Sequence, residues 1–353
     1  MKKINIGLLG CGRVAQHYKN VLLGQDIREL VDVVAVCDVK KQRSLDMSES
    51  LGAQPIYNID EFNKFKGHLD AVFILTPSGV HFEHSTMLLK RGFNVVCEKP
   101  LVMRPNEAAQ LGEIIKKTGL YCDTVFQNRL NPAVAYLKSK VDDGTIGKIV
   151  TASVRLQWCR VQEYYEDGWH GTWKMDGGVI NQQAIHHIDA LRWIMGPVKR
   201  VCSSKTNRSN SLEAEDTLVA ILEFENGALG TIEATTAARP RDFEASFSVV
   251  SNRGRASIGG IALNQLENWD FPGSGNVDIL KENLSVEAPT GYGLSHTTVL
   301  KLVHENLTQG KPPNVTIDEA INTIELIHAL YLSSEEDRWV EMTEKPQSNL
   351  LGL

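Results

Sequence analysis

The sequence predicts an α/β chain of two domains: an N-terminal, doubly wound parallel sheet, and a C-terminal, open-faced, largely antiparallel sheet with helices on one side. Two observations lead to this fold class. Over the first 125 residues, short runs rich in valine and isoleucine alternate with segments of helical spacing. From about residue 148 onward the apolar runs become longer and partly alternate with polar residues. A chain of 353 residues is long enough to bury two cores.

Short apolar runs define the sheet of the first domain. They lack strict alternation, as expected for strands that are buried on both faces, and several of the helical segments between them end in glycine. Repeated strand–helix–strand units predict a parallel sheet. The predicted strands cover residues 4–10, 31–38, 70–76, 94–99 and 120–126, and the predicted domains cover residues 1–125 and 126–353.

The second domain combines longer strand-like runs with helical segments. Asn226 and Gly227 separate two of these runs, and an Asn-Gly pair in this position is a strong hairpin signal. The segment 267–276 contains proline and glycine and is predicted as a loop. The last helices are free to pack back on the first domain. The predicted strands cover 148–158, 216–224, 227–236 and 243–251, and the predicted helices 177–195, 296–309 and 317–333.

Composition argues against several classes of partner. The net charge is -6, with acids and bases interspersed, so no basic run is present for nucleic acid or an anionic membrane surface. No apolar stretch approaches the length of a membrane span. The 6 cysteines show no metal-ligand spacing, and most lie in apolar runs. We therefore expect reduced thiols, no metal site, no nucleic acid or membrane partner, and a cytoplasmic protein.

A GxGxxA pattern follows the first predicted strand and opens a helix. Gly10 makes the turn, Gly12 lets the backbone approach a pyrophosphate, and the small Ala15 lets the helix pack on the strand. Arg13 and Val14 complete the turn, and the first amides of the helix face the phosphate. In this context the pattern predicts a Rossmann dinucleotide site rather than a plain structural turn.

The second predicted strand ends at Asp38, where a carboxylate accepts hydrogen bonds from the ribose hydroxyls of a dinucleotide. A carboxylate there would repel a 2′-phosphate, so we expect NAD rather than NADP as the cofactor. Lys40, Lys41 and Arg43 lie close enough to weaken this preference, although a solvated first helical turn is the favoured interpretation of these residues.

Further polar residues stand where the later strands end. In a doubly wound sheet, ligands bind at the carboxyl ends of the strands, so these residues should gather beside the glycine turn. Pro100 restricts the backbone of Lys99, and we expect this lysine at the nicotinamide end of the cofactor rather than as an ordinary surface lysine. The additional predicted cofactor contacts are Thr76, Pro77, Ser78, His81, Glu98, Lys99 and Gln127.

These motifs and a later HxxD pattern, His186 to Asp189, resemble the glucose–fructose oxidoreductase/inositol dehydrogenase (Gfo/Idh/MocA) family of sugar dehydrogenases. The resemblance covers essentially the whole chain. It is narrowed by further segments, which together resemble the bacterial UDP-N-acetyl-2-amino-2-deoxyglucuronate (UDP-GlcNAcA) 3-dehydrogenases: FQNRLNP, RVQEYY, WHGTWKMDGG, NQQAIHHID, EAEDT and GYGLSH. The resemblance implies oxidation of the sugar C3 hydroxyl to the 3-keto sugar in the biosynthesis of surface-polysaccharide sugars.

By resemblance, the catalytic set consists of Lys99, His186 and a polar residue one helical turn earlier, Gln182. The i, i+4 spacing places Gln182 and His186 on one helix face. Many family members have aspartate where this chain has Gln182, and an amide cannot take a proton. Acid–base work therefore falls to His186 and Lys99, and which of them is the base stays open. His187, about 100° around the helix, is the less favoured histidine.

A nucleotide-sugar uronate carries a diphosphate and a carboxylate, so its site needs cations, and arginine suits both groups. Arg155, Arg239 and Arg241 are possible cations whose ordinary surface roles carry at least equal weight. The expected substrate contacts are Arg129, Arg160, Tyr164, Tyr165, Gln182, His186 and His296.

Two alternatives to this function remain open at the level of sequence. One is a dehydrogenase of another nucleotide sugar such as UDP-GlcNAc, of a free sugar or of inositol. The other is a non-catalytic NAD-binding regulatory protein on the same fold, which the presence of Lys99 and His186 disfavours. The resemblance also implies 2-oxoglutarate as an acceptor that recycles NADH, and a homo-oligomer, dimer or tetramer, that packs the open sheet faces together.

Overall fold

The structure, a computed structural model, describes residues 2–353 and divides into two compact units. One unit comprises the chain through Phe126 together with His296–Asn322, and the other comprises Gln127–Ser295 and Thr323–Leu353. The two units are called the first and second unit below, and each is described by itself.

The first unit contains a parallel sheet of six strands in the order β3-β2-β1-β4-β5-β6. The order reverses between β1 and β4, which is the switch point at which doubly wound sheets bind ligands. This sheet confirms the predicted N-terminal fold and adds one short strand, β3, that the sequence prediction lacked. The strands are β1 Ile4–Leu9, β2 Val31–Cys37, β3 Gln54–Ile56, β4 Ala71–Ile74, β5 Val95–Glu98 and β6 Cys122–Val125. The helices between them are α1 Arg13–Leu22, α2 Gln25–Arg28, α3 Lys41–Leu51, α4 His81–Lys90 and α5 Pro105–Thr118.

The central strands of this sheet are buried on both faces, which explains their unbroken apolar sequences. All four residues of β4 are buried, as are all four of β5, the last of which is Glu98. Burial of aliphatic side chains stabilises such strands by roughly 1.5–3 kcal/mol per residue. An acid at the end of a fully buried strand needs polar partners, and those of Glu98 belong to the candidate site.

The second unit contains a mixed sheet of eight strands in the order β13-β12-β11-β7-β10-β9-β8-β14. The elements before residue 296 are the helices α6 Pro132–Asp142, α7 Val179–Gln182, α8 Ile185–Met195 and α9 Val277–Leu284. The strands are β7 Ile149–Gln157, β8 Val198–Thr206, β9 Thr217–Phe224, β10 Leu229–Thr235, β11 Glu244–Ser251, β12 Arg255–Gly259 and β13 Gln265–Asp270. The C-terminal elements of the chain are α10 His296–Gln309, α11 Ile317–Glu336 and β14 Val340–Glu341.

The pairing in this sheet is antiparallel except between β7 and β10, which run parallel. β9 and β10 form the hairpin predicted from Asn226 and Gly227, with Gly227 at a φ of 83°. Residues of β9 and β10 alternate between buried and exposed, so one face of the sheet packs on the core and the other is open. The predicted open-faced sheet is therefore confirmed.

Two local predictions for the second unit are wrong. The single helix predicted over 177–195 is divided into α7 and α8, because the amides of Gln183 and Ala184 both bond the carbonyl of Val179. The predicted loop 267–276 begins inside β13, because Trp269 pairs with Ala256 of β12 and is buried. Both differences arise from contacts that the local residue pattern does not encode.

The segment 296–322 belongs to the first unit, although it follows the second along the chain. Asp123 of β6 binds it, since its carboxylate accepts hydrogen bonds from the amides of Asn314 and Val315 at 3.1 and 3.0 Å. His304 of α10 bonds the carbonyl of Lys2 at 2.8 Å. No helix within residues 2–353 combines the length and the apolar character that a membrane crossing requires.

Candidate active site

The glycine turn after β1 has the shape that a dinucleotide phosphate requires. Gly10 has a φ of +100°, and a Cβ there would lie 2.6 Å from the carbonyl oxygen of Leu75, so only glycine fits. A Cβ on Gly12 would meet no atom of the described chain within 4 Å. The first turn of α1, which contains Arg13 and Val14, has no side-chain cap at Gly12. A helix start without a side-chain cap fits a diphosphate group.

Asp38, directly after β2, is held beside this turn. Its Oδ2 accepts a hydrogen bond from the amide of Cys11 at 2.9 Å, and its Oδ1 accepts one from the amide of Lys40 at 2.8 Å. The two bonds fix the direction of the carboxylate, and each oxygen keeps a lone pair for a further donor. This geometry fits a pair of ribose hydroxyls.

His81, the first residue of α4, is buried and joins two of the predicted site segments. Its Nδ1 lies 2.7 Å from the carbonyl oxygen of Pro100, and its Nε2 lies 2.8 Å from that of Thr76. Burial lowers the pKa of His81, while these two carbonyl contacts oppose that shift. Because both ring nitrogens are engaged by the backbone, the ring positions the loops after β4 and β5. Pro77 and Ser78 lie in the first of these loops, and the Lys99–Pro100 peptide bond in the second is cis.

Glu98, at the end of β5, is buried and is bonded within the first unit. The hydroxyl of Tyr18 on α1 donates to its Oε1 at 2.9 Å, and Nε2 of His296 lies 3.5 Å from the same oxygen. Oε2 accepts from the amide of Lys99 at 3.3 Å. Lys99 itself is half-buried. The predicted cofactor contact Glu98 thus has protein partners, of which Tyr18 gave no signal in the sequence.

In the second unit, Gln182 and His186 lie at the irregular junction between α7 and α8. The amide of Ala184 donates to the carbonyl of Val179 at 2.8 Å, five residues back, which is the bond of a π-type turn. The i, i+4 face of a continuous helix therefore does not describe this pair. Both side chains are half-buried, and π-type turns occur frequently at functional sites.

The neighbouring positions Gln183 and His187 are buried instead. The ring of His187 stands edge-on to Trp158, with centroids 5.9 Å apart, and is 1% exposed. Burial lowers the pKa of His187 to about 4, so this histidine is neutral near pH 7. The side-chain Nε2 of Gln183 donates to the hydroxyl of Tyr164 at 3.3 Å.

Arg129 lies with Gln127 in the short 3₁₀ helix Gln127–Leu130 and forms a buried pair with Asp189 of α8. Its Nε and Nη2 donate to the two carboxylate oxygens at 2.7 and 2.8 Å, and Thr323 donates to one of them at 2.8 Å. The side chains of the pair are 5% and 0% exposed. This bidentate pairing holds α8 in place and occupies the two nitrogens that a substrate carboxylate would use.

Arg160, one of the arginines predicted to contact substrate, lies beside aromatic side chains. Its guanidinium lies 5.0 Å from the ring centre of Trp158 and 5.6 Å from that of Tyr164, and it is paired with Asp242 at 3.2 Å. The hydroxyl of the adjacent Tyr165 bonds that of Thr236 at 2.8 Å. A half-buried arginine stacked on aromatic rings is suited to an anionic or sugar ligand. The other arginines considered differ: Arg155 pairs with Glu233 and Glu244 on the sheet, and Arg239 bonds backbone carbonyls and Asn210.

Glu215, in the loop before β9, supports the start of α7. The sequence analysis did not single out this residue. Its Oε1 accepts from the amide of Ile180 at 3.2 Å and from the hydroxyl of Tyr331 at 2.9 Å. A Cβ on Gly178 would lie 2.1 Å from Oε2 of Glu215, so this glycine cannot be replaced without movement. Burial raises the pKa of Glu215 to about 7.

The predicted site residues thus fall into two sets. The first unit contains the glycine turn, Asp38, the loops after β4 and β5, and His296; the second contains Gln127, Arg129, Arg160, the two tyrosines, Gln182 and His186. Within residues 2–353, no group of three or more histidine, cysteine, aspartate or glutamate side chains is arranged to hold a metal ion. The first unit thus combines a glycine turn that fits a phosphate, an acid held in place after β2 and a lysine after β5. These features define the class of protein as a dinucleotide-dependent oxidoreductase.

The chain belongs to the Gfo/Idh/MocA oxidoreductase family. Residues 4–126 match its NAD-binding Rossmann fold, and residues 138–342 match its C-terminal alpha/beta domain. The protein is therefore an NAD-dependent dehydrogenase that acts on a CH–OH group.

The chain is similar to two WlbA dehydrogenases whose crystal structures contain NADH and UDP-GlcNAcA. The enzyme from Chromobacterium violaceum is 29% identical, with a TM-score of 0.89 over 97% of this chain and 96% of that chain. The enzyme from Bordetella pertussis is 29% identical, with a TM-score of 0.90 over 96% of this chain and 98% of that one. Myo-inositol 2-dehydrogenase from Thermotoga maritima is 26% identical over 351 residues, which is 97% of this chain and 99% of that protein.

Proposed function

We propose that this dehydrogenase oxidises the C3 hydroxyl of UDP-GlcNAcA to the 3-keto sugar with NAD, in the biosynthesis of surface-polysaccharide sugars. The observation that carries the proposal is the likeness, over nearly the whole chain, to two dehydrogenases whose structures contain NADH and UDP-GlcNAcA. The family alone leaves the substrate open, since the inositol dehydrogenase from Thermotoga maritima matches an equal share of the chain.

The proposed roles follow from the chemistry of alcohol oxidation. Bound NAD supplies the hydride acceptor. Lys99 stabilises the alkoxide that develops at the reacting oxygen, and His186 or Lys99 accepts the hydroxyl proton. Gln182 orients the sugar, because an amide donates and accepts hydrogen bonds but cannot take up a proton. Gly12, Arg13 and the first amides of α1 hold the diphosphate of the cofactor, and Asp38 holds its ribose.

The proposed substrate carries negative charge at the carboxylate and at the diphosphate. Arg160 supports this choice, since its guanidinium is half-buried and lies 5.0 and 5.6 Å from the ring centres of Trp158 and Tyr164. A sugar carboxylate would compete with Asp242 for this guanidinium. Arg129 is the weaker choice, because Asp189 already occupies its bidentate face.

A panel of substrates tests the proposal. Purified enzyme is supplied with NAD and, in separate reactions, UDP-GlcNAcA, UDP-GlcNAc, UDP-glucuronate and myo-inositol, and NADH is followed by absorbance with and without 2-oxoglutarate. We expect UDP-GlcNAcA to have a kcat/KM at least about tenfold above the others, because the guanidinium of Arg160 can pair with a carboxylate at C6 but not with the uncharged C6 of UDP-GlcNAc. Oxidation of inositol in preference to every UDP-sugar would establish the alternative function. Binding of NAD with turnover of none of them would favour a regulatory protein.

We also propose that the enzyme is a homo-oligomer assembled through the open face of the sheet in the second unit. Exposed apolar side chains occur on three of the four neighbouring strands β9, β10, β7 and β11: Val219 and Ile221 on β9, Leu229 on β10 and Val250 on β11. Beside them, Arg155 pairs with Glu233 and Glu244. A face that mixes apolar residues with both charges suits a second copy of itself.

A further inference from the structure

A chain of polar side chains in the first unit ends at the residue before Lys99. Glu98 accepts a hydrogen bond from Tyr18 at 2.9 Å and faces Nε2 of His296 at 3.5 Å. The other ring nitrogen of His296, Nδ1, lies 3.1 Å from Nε2 of His17. His17 and Tyr18 belong to α1, and His296 is the first residue of α10. These polar side chains therefore connect three elements that are far apart in sequence, namely α1, β5 and α10.

The protonation states of these polar side chains follow from their contacts. Burial, together with the charge of His296, lowers the pKa of His17 to about 4, so His17 is neutral near pH 7 and its Nε2 can accept a hydrogen bond. Nε2 of His296 faces the carboxylate of Glu98, which can only accept, so this nitrogen donates to it.

The electrostatics of Glu98 agree with an ionised carboxylate. Burial alone would favour the neutral acid, but the hydrogen bond and charge of His296, with contributions from Lys99 and Tyr18, hold the pKa of Glu98 below its ordinary value. Two opposite charges in a buried site stabilise each other far more than they would in water. The charge of Lys99, the next residue, contributes to this shift, so the lysine amine and the Glu98 carboxylate interact as well.

We propose that His296 is a positioning residue for Lys99, which acts by neutralising the Glu98 carboxylate and thereby setting the proton affinity of the lysine amine. This inference rests on the catalytic role of Lys99 in the proposed function. It differs from the substrate contact expected from the sequence, because the ring of His296 is 1% exposed and faces Glu98 and His17.

Two titratable neighbours of Glu98 keep a constant charge over the pH range of interest. Burial raises the pKa of Tyr18 and of Cys97 well above the ordinary values, so both stay neutral. The groups that face Glu98 and its partners are His17 and Tyr18 from α1, His81 from α4, Cys97 and Lys99 from the β5 segment, Asp123 from β6 and His296 from α10. The experiment therefore changes His296 and Glu98 and keeps Lys99.

The experiment measures the titration of Lys99 directly. The full-length enzyme is reductively methylated with ¹³C-formaldehyde, saturated with NAD, and titrated by NMR, and K99R identifies the Lys99 signal. In E98Q the loss of the negative charge should lower the titration midpoint of Lys99 by about one pH unit, and in H296Q the unscreened carboxylate should raise it by a similar amount. H304Q is the matched control, since His304 lies on the same helix but bonds the carbonyl of Lys2.

Because the two variants are expected to shift the midpoint in opposite directions, either one tests the inference if the other fails to fold, and circular dichroism reports folding. Shifts of opposite sign in E98Q and H296Q, with none in H304Q, support the inference. Midpoints that stay at the wild-type value in both variants, or that move in the same direction, overturn it. Because the titration needs no substrate, an absence of turnover with every UDP-sugar would count against the proposed function separately.

Discussion

Asp38 shows how a single side chain links the sequence pattern to cofactor choice. Its carboxylate is oriented by the amides of Cys11 and Lys40, so the residue that is proposed to bind the ribose is also bonded to the glycine turn. The position of this acid was predictable because it depends only on where β2 ends. The two amides that hold it were not, since they depend on the fold of the turn.

Replacement of Asp38 should therefore change both affinity and selectivity. In D38A we expect the Kd for NAD to rise by about 10- to 100-fold, because charge-assisted hydrogen bonds contribute roughly 1.5–3 kcal/mol each, while the Kd for NADP changes less. Titration calorimetry with both cofactors measures this. D32A is the control, because Asp32 lies on the same strand and pairs with Lys3 at the surface. An unchanged ratio of the two Kd values in D38A would contradict the assignment.

At the scale of elements, the sheet was predictable and the junction of α7 and α8 was not. The strands of the first unit follow from continuous apolar runs, and the hairpin of β9 and β10 follows from Asn226 and Gly227. A π-type turn at Ala184 has no such signal, because it depends on which carbonyl the amide reaches. The buried contact between Glu215 and Gly178, which supports this junction, is equally invisible in the sequence, since it pairs distant segments.

Glu215 should make the stability of this junction depend on pH. Its pKa is raised from 4.5 to about 7 in the folded chain, so the folded state binds this proton more tightly than the unfolded state. The resulting stabilisation is fully present below about pH 4.5 and is lost as the pH rises through 7. From pH 5 to pH 8, wild type should lose roughly 2.5 kcal/mol relative to E215Q, which resembles the neutral acid.

Thermal unfolding of wild type and E215Q at pH 5, 6, 7 and 8 measures this effect as a widening gap in Tm. E213Q is a suitable control, because Glu213 is two residues away and exposed. A Tm difference between wild type and E215Q that stays constant across this range would show that Glu215 does not titrate there.

At the scale of the whole molecule, the open face of the second unit carries the prediction of assembly. The alternation of β9 and β10 predicted an open face, but whether a second copy covers it is a property of the surface as a whole. In I221E a charge replaces a 49% exposed isoleucine on this face. We expect light scattering to find a dimer or tetramer for wild type and a smaller species for I221E. L45E on α3 should assemble as wild type does, and a monomeric wild type at micromolar concentration would refute the proposal.

The most direct test of the central claim follows the hydrogen at C3 of the sugar. UDP-GlcNAcA deuterated at C3 is incubated with enzyme and NAD under single-turnover conditions, and the NADH is analysed by mass spectrometry. We expect deuterium in the NADH formed by wild type, and loss of turnover by at least about 100-fold in K99A with the Kd for NAD unchanged. NADH that contains no deuterium, or K99A that turns over at the wild-type rate, would contradict the account.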